Sequence, residues 1–184
     1  MDESAPLPVH ALPKRRRVGR LLDVVTIAVI ALAAFRFLVV PHLGESAGVN
    51  RPAPVVELAA TDGRFSLAAH RGRLVFLDFW ASWCTPCQAS LPLVERWAKS
   101  HREVDVVAID AGEPPAQAAR FAREFGLAQT AFDPQLQTTK AFGVDGFPTM
   151  IVIDAKGRVV AKWPGYNPAI ASVMSDAVGR FSGR

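Results

Sequence analysis

The stretch from Leu74 to Cys87 constrains the fold more than any other part of the chain. It reads L-V-F-L-D-F-W-A-S-W-C-T-P-C. An apolar run interrupted by one acid, Asp78, is typical of a buried strand, and Ala81 and Ser82 form a short turn after it. Helix-forming residues follow the second cysteine. The sequence therefore predicts a buried strand, a tight turn and a helix that begins at the cysteines.

Cys84 and Cys87 are the only cysteines in the chain. Side chains three positions apart in the first turn of a helix share a face and can form an unstrained disulfide. The unpaired N–H groups and the dipole at the helix start stabilise a thiolate at Cys84, and the thiolate is the form that attacks disulfides. Cys87 is placed to attack a mixed disulfide on Cys84 and release the partner. The pair predicts thiol–disulfide exchange through its own redox-active disulfide, with no cofactor or metal.

Two other interpretations of this pair are weaker. A structural disulfide across two residues closes too small a loop to stabilise the fold much. A zinc site needs two more ligands, and the four His, at positions 10, 42, 70 and 101, include no closely spaced pair. The motif follows a strand and opens a helix, where Pro86 has no helical N–H bond to lose, so the redox interpretation is preferred.

The positive charge of the chain is concentrated at its N-terminus. The formal net charge is +4. Residues 1–20 hold five Lys and Arg against two acids, whereas residues 41–184 hold 15 basic and 14 acidic residues. A domain without a field of one sign does not attract phosphates, so nucleic acid is excluded as a partner.

An apolar segment, residues 21–40, follows the basic cluster. Twenty helical residues span about 30 Å, the thickness of the bilayer core, and Asp23 and Arg36 lie near enough to the ends to reach water. A buried core helix is disfavoured because Val24 to Phe35 has no polar face. The alternative is a cleaved signal peptide, but Arg36 and further apolar residues separate the apolar run from the small residues at 44–48. We expect an uncleaved transmembrane anchor in the lipid bilayer.

The basic residues also predict the orientation of this anchor. The tail, residues 1–20, carries five Lys and Arg close to the apolar segment, while Pro41 to Asn50 has none. The positive-inside rule places the tail in the cytoplasm and the large domain outside it. Disulfides form and persist in that compartment. The prediction is a single-pass protein of the cytoplasmic membrane with a periplasmic or extracytoplasmic domain.

The rest of the chain predicts one α/β domain over residues 54–184. Residues 41–53 contain Gly, Pro, Ser and Asn without periodicity and are predicted as a linker. Strands are predicted over 55–58, 65–67, 74–80, 104–109, 131–132, 149–153 and 158–163, and helices over 88–101, 115–125, 134–142 and 169–181. This order predicts a mixed central sheet flanked by helices, a three-layer fold.

Four features of residues 54–181 resemble those of the thioredoxin fold. They are the apolar strand with Asp78, the W-C-T-P-C motif, Pro92 five residues after Cys87, and Gly146-Phe147-Pro148-Thr149 before a strand. The N-terminal anchor, the lead-in over 62–72 and the additional helix around 115–125 are similar to the TlpA/ResA branch. Members of that branch are membrane-tethered thiol–disulfide oxidoreductases.

The resemblance implies roles for individual residues around the disulfide. Cys84 looks like the attacking thiol and Cys87 the resolving thiol. Pro148 resembles the cis-proline that faces the disulfide, and the adjoining backbone of Phe147 can pair with an extended substrate strand. The alternative for Pro148 is an ordinary trans bond. Trp83 is expected to shield the disulfide and shape the docking surface.

Asp78 resembles the buried acid of thioredoxins. A carboxyl group in an apolar strand should have a raised pKa, which predicts that Asp78 accepts the proton of Cys87 as a mixed disulfide resolves. The alternative is a solvated acid at the end of the strand or an acid satisfied by a neighbour. Many TlpA/ResA members carry an amide here, and residues 104–110 offer no Lys to pair with the acid. Trp80 is assigned to the core.

The resemblance implies an anchored reductase of disulfides in exported proteins, such as apocytochrome c or copper-centre proteins, supplied with electrons by a membrane relay protein. Thr85-Pro86 lacks the His found between the cysteines of several strong oxidants, which favours a low-potential, reducing protein. The alternatives are an oxidase or isomerase of exported proteins, a thiol peroxidase and a metal-delivery protein. The last two fit less well, because the former uses Thr and Arg around a lone Cys and the latter a wider Cys spacing plus a His.

Overall fold

The computed structural model describes residues 26–30 and 49–182. Residues 26–30 are helical. Among the described residues no helix has the length and apolar character needed to cross a membrane. The predicted tail, 1–20, lies outside the described residues, as do most of the predicted anchor, 21–40, and most of the predicted linker, 41–53.

Between residues 49 and 182 the chain alternates strands and helices. The strands are β1 (Arg51–Pro52), β2 (Glu57–Ala60), β3 (Gly63–Ser66), β4 (Val75–Trp80), β5 (Asp105–Ala111), β6 (Thr130–Asp133), β7 (Thr149–Ile153) and β8 (Arg158–Pro164). The helices are α1 (Thr85–Ser100), α2 (Pro115–Glu124), α3 (Gln137–Ala141) and α4 (Ile170–Phe181), with a 3-10 turn at Leu67–His70.

All eight strands form one mixed sheet in the order β1-β8-β7-β4-β5-β6-β2-β3. β4, β5 and β6 run parallel, and the other pairs are antiparallel. β4 therefore lies inside the sheet, and all six of its residues are buried. The parallel pairing of β4 and β5 brings their carboxyl ends to the same edge, where the loops that carry the functional residues emerge.

The two faces of the sheet are packed by different residues. On one face Leu77 and Phe79 of β4 pack with Phe142, which follows α3. On the other face Phe76 packs with Trp97 of α1 and with residues of α4. Because successive strand residues point to opposite faces, Asp78 lies on the same face as Phe76 and Trp80, under helix α1. The helix–sheet–helix layering confirms the predicted three-layer architecture.

The N-terminal boundary of the domain differs from the prediction. Arg51 and Pro52, assigned to the linker from the sequence, pair with Val159 and Arg158 of β8 as an edge strand. The backbone N–H groups of Asn50 and Ala53 add hydrogen bonds to the same hairpin, at 2.6 and 2.9 Å. A two-residue strand that contains proline has no hydrophobic period to reveal it, and tertiary pairing alone defines it.

Candidate active site

The disulfide lies at the start of helix α1. Cys84 is the N-cap residue and its Sγ atom is bonded to that of Cys87 at 2.08 Å. The backbone N–H of Cys87 donates to the Cys84 Sγ atom at 3.2 Å and to the Cys84 carbonyl at 2.9 Å. Pro86 lies in the first turn of α1, where no helical bond is lost. The N–H group aimed at Cys84 Sγ stabilises negative charge on that atom once the disulfide is reduced.

The two sulfur atoms differ in access to solvent. Cys84 is 4% exposed and Cys87 is fully buried. An incoming disulfide can therefore reach Cys84 at the edge of the helix, whereas Cys87 is accessible only to groups already inside the site. The predicted division into an attacking and a resolving thiol agrees with this arrangement.

Two aromatic side chains form a wall beside the disulfide. Trp83 is 68% exposed, and its ring meets that of Phe147 edge-to-face, with 6.0 Å between the centroids. The Phe147–Pro148 peptide bond is cis, as expected from the resemblance. Phe147 also packs against the cluster that contains both cysteines. The structure thus brings Trp83, Phe147 and Pro148 together around the disulfide, and it places Trp83 on the surface, where a protein partner can contact it.

A cavity of about 350 Å³ continues from this aromatic wall. Trp83 and Phe147 line one side, and Leu136 and Val144 contribute apolar surface. Its rim includes one cation, Lys140, and one anion, Asp145. The cavity offers an apolar recess beside Cys84 for a side chain of a docked polypeptide.

Asp78 lies in the interior of the sheet, on the face that helix α1 covers, and is 2% exposed. Its Oδ2 atom has no hydrogen-bond partner among the described residues. Burial, and to a smaller extent the negative charge of Glu95, raises the pKa of Asp78 from 3.8 to about 7. Residues 104–110 contain no lysine that could pair with Asp78. The charge that acts on Asp78 in the structure is instead that of a second acid, Glu95. Asp78 can hold or release a proton near neutral pH, as a general base for Cys87 must.

A second acidic cluster holds the loop that precedes the disulfide. Glu113 is 4% exposed, and its carboxylate accepts hydrogen bonds from the backbone N–H and the hydroxyl of Ser82, both at 2.5 Å. The side-chain amide of Gln117 donates to the same carboxylate at 2.6 Å. Asp110 is fully buried nearby, and burial followed by the effect of Glu113 raises the pKa of Asp110 to about 8. Glu113 therefore fixes the turn between β4 and Cys84.

The sequence interpretation missed Glu95, Asp110 and Glu113. Glu95 lies four residues after Leu91, on the apolar stripe of α1, so its position on a buried face was readable from the helical period. Glu113 follows the strand next to β4, and adjacent parallel strands end at the same edge of a sheet. That rule could have placed Glu113 beside Ser82. A single acid in a loop carries no signal of burial by itself.

The model of the Redoxin family matches residues 48–177. The chain belongs to the Redoxin family. Thiol-disulfide oxidoreductase ResA of Geobacillus thermodenitrificans is 32% identical over 151 residues, covering 78% of this chain and 87% of that protein. ResA of Bacillus subtilis is 29% identical over 153 residues, covering 81% and 86%.

A solved structure gives the same result for the fold. A Chlorobium tepidum protein, provisionally described as the thiol:disulfide interchange protein DsbE, matches with a TM-score of 0.70 and 31% identity, covering 75% of this chain and 100% of that one. The fold is therefore thioredoxin-like. Together with the Cys84–Cys87 pair, these matches identify a TlpA/ResA-like thiol–disulfide oxidoreductase of the thioredoxin family.

Proposed function

We propose that the protein is a membrane-anchored reductase that acts on disulfides of exported proteins outside the cytoplasm. Apocytochrome c and copper-centre proteins are the substrate class that its TlpA/ResA resemblance suggests. The observation that carries the proposal is the Cys84–Cys87 disulfide at the start of α1, next to the exposed Trp83, with Cys87 fully buried. A membrane relay protein would return electrons to this pair.

The geometry supports a two-step exchange. In the reduced protein the Cys84 thiolate attacks a substrate disulfide, which forms a mixed disulfide and expels one substrate thiolate. Asp78 then takes the proton of the Cys87 thiol, and the Cys87 sulfur attacks Cys84 Sγ. That attack re-forms the Cys84–Cys87 disulfide and releases the second substrate thiolate. Two electrons pass to the substrate, and the protein ends oxidised.

The surface around Cys84 fits a polypeptide rather than a small molecule. Trp83 and Phe147 provide an exposed aromatic wall, and the cavity beside them provides an apolar recess with one charge of each sign at its rim. Aromatic side chains with an exposed face contribute strongly to protein docking. An extended segment lying along Phe147 and Pro148 would present its disulfide to Cys84.

The redox potential of the full chain tests the direction of electron flow. The protein, in mild detergent, is equilibrated with defined thiol–disulfide buffers, and the oxidised fraction is read from tryptophan fluorescence, since Trp80 and Trp83 flank the site. A potential of about −270 mV or lower, as in thioredoxin, is expected of a reductase. A potential near or above about −180 mV, the range of disulfide isomerases, contradicts the proposal and favours an oxidase or isomerase.

The proposed location rests on the basic tail, the apolar segment 21–40 and the absence of Lys and Arg in residues 41–50. Protease treatment of intact spheroplasts provides the test. External protease should digest the thioredoxin-like domain and leave the first 40 residues protected in the membrane fraction. A domain that resists external protease but is digested after lysis would contradict this topology.

A further inference from the structure

A second cavity, of about 300 Å³, lies at the opposite end of strands β4 and β5 from the disulfide. Its walls come from the C-terminal half of α1, the start of β5 and Ala128–Gln129. Arg73 and Lys99, which are exposed, also line it, so the cavity opens to solvent. The disulfide occupies the carboxyl ends of β4 and β5, whereas this cavity occupies their amino ends.

One buried acid, Glu95, forms part of the wall of this cavity. The residue is 7% exposed, and its Oε1 atom accepts a hydrogen bond from the backbone N–H of Ala128 at 3.2 Å. Its Oε2 atom has no partner among the described residues. A buried carboxylate oxygen without a partner is costly, so its retention calls for a reason.

Glu95 lies between the cavity and Asp78. Asp78 projects from β4 toward helix α1, and Glu95 belongs to the buried stripe of that helix. Helix α1 covers the face of the sheet from which Asp78 projects, and the negative charge of Glu95 adds to the effect of burial on the pKa of Asp78. Each of them keeps one oxygen atom unpartnered. The two acids are thus buried polar groups between helix α1 and the sheet, and Glu95 also lines the cavity.

We propose that Glu95 is a proton relay that connects Asp78 with solvent in this cavity. The proposal deepens the reductase function above and rests on it. Asp78 is 2% exposed, and Cys87, from which it would take a proton, is fully buried. Asp78 can accept the proton of Cys87 only after losing its own, and with a pKa of about 7 a fraction of Asp78 is protonated at neutral pH. Glu95 supplies the exit.

The proton and electron balance is as follows for reduction of a substrate. The Cys87 thiol gives its proton to Asp78 as its sulfur attacks Cys84 Sγ and the substrate thiolate leaves. Asp78 passes the proton to Glu95, directly or through one water, and Glu95 releases it to water in the cavity. The released substrate thiolate takes up a proton from solvent. Re-reduction by a dithiol returns two electrons and reverses the path of the proton.

The charged groups around Glu95 favour release of the proton into the cavity. They are Lys99 on α1, His101 and Arg102 after it, Arg73 before β4 and Asp105 at the start of β5. The Oδ2 atom of Asp105 lies 2.9 Å from Nε of Arg73 and 2.7 Å from Nδ1 of His70. Lys99 attracts the anionic form of Glu95, and Asp78 is the acid that projects from the sheet toward α1. Burial raises the pKa of Glu95, while the Ala128 N–H and Lys99 oppose that shift.

Glu95→Gln tests the relay, because the amide keeps the shape of the side chain and an oxygen to accept from Ala128. The rate measured is the resolution of the glutathione mixed disulfide on Cys84, followed in the full chain by tryptophan fluorescence at low buffer concentration. We expect resolution to be slowed about tenfold, less than the roughly 10²–10⁴-fold that a general acid or base contributes, because Asp78 itself is unchanged. Small buffers such as imidazole should restore the rate in the variant and leave the wild type unchanged. Glu124→Gln, an exposed position on α2, is the matched control.

Two outcomes overturn the relay. The relay is wrong if Glu95→Gln resolves the mixed disulfide at the wild-type rate at all pH values. The relay is also wrong if the variant is slower, the pH profile of its resolution rate is shifted, and small buffers do not restore the rate. Glu95 would then act only through the pKa of Asp78. Should Glu95→Gln not fold, Glu95→Asp replaces it and must remain independent of buffer.

A further measurement separates failure of the relay from failure of the proposed function. Formation of the mixed disulfide, followed in Cys87→Ser, requires no proton from Cys87 and should be unaffected when Glu95→Gln is added. If the wild type itself does not exchange disulfides, the reductase function fails. If the wild type is active and indifferent to Glu95, only the relay fails.

Discussion

Replacement of Asp78 by Asn should change the pH dependence of stability in a defined direction. The pKa of Asp78 is about 7 in the folded protein and 3.8 without burial. As pH rises above 3.8, the unfolded chain releases this proton while the folded protein retains it up to about pH 7. The buried acid therefore costs nothing at low pH, lowers stability progressively between these two values, and imposes its full cost above them. A shift of about three units corresponds to about 4 kcal/mol.

Asp78→Asn removes this titration. The free energy of unfolding of the variant relative to wild type should rise by about 4 kcal/mol between pH 4 and pH 8, and then level off. The buried amide adds an unsatisfied donor that costs about 1–3 kcal/mol, but that cost is the same at every pH. The pH dependence of the difference, rather than its absolute value, therefore carries the prediction.

Urea unfolding of the oxidised protein at a series of pH values provides the measurement. Asp176→Asn, the same change at an exposed position on α4, is the control and should give a difference independent of pH. Effects of titrating groups that do not interact with Asp78 are shared by wild type and variant and cancel in the difference, and Glu95 contributes less to the shift of Asp78 than burial does. A difference that stays flat from pH 4 to pH 8 would refute the reasoning, since Asp78 would then titrate equally in the folded and unfolded protein.

Three further substitutions test the parts of the site separately. Ser82→Ala removes the hydroxyl donor to Glu113, a bond to a charged group, and should lower the unfolding free energy by about 1.5–3 kcal/mol in urea titrations; no loss would mean that the loop is held otherwise. Trp83→Ala should change the unfolding free energy by less than about 0.5 kcal/mol. It should slow disulfide exchange with a disulfide-bonded protein more than exchange with glutathione disulfide. The control, Val55→Ala at an exposed position, should alter neither rate. Thr139→Val breaks the 2.7 Å bond from the Thr139 hydroxyl to Asp133 and should lower the unfolding free energy by about 1–3 kcal/mol in urea titrations.

Local patterns in the sequence were sufficient to predict most of the fold. Strand β7 has the predicted bounds, Thr149–Ile153, because a short run of buried β-branched residues between loop signals has one interpretation. Gly126 and Gly143, predicted to end helices, both adopt positive φ after α2 and α3. Strand β1 was missed because two residues have no period, and their pairing depends on where the rest of the chain has folded.

The site was predictable where the chemistry is local in sequence. Cys84, Cys87 and Trp83 belong to one motif. Asp78 was recognisable as a buried acid because it interrupts an apolar strand. The partners of these residues come from distant segments, such as Glu113 for Ser82 and Glu95 for Asp78. Their roles depend on which elements pack together, so they could be assigned only from the structure.

The buried acids of this domain fall into two groups that differ in hydrogen bonding. Asp133 accepts bonds from the N–H groups of Gln137 and Thr139 and from the Thr139 hydroxyl, and Asp154 accepts from the N–H of Arg158. Asp78, Glu95 and Asp110 are also buried, but each leaves at least one carboxylate oxygen without a partner among the described residues. The first group caps turns and supports the fold. The second group destabilises the fold at neutral pH and lies on the face of the sheet that carries the disulfide, as expected of acids retained for proton transfer during thiol–disulfide exchange.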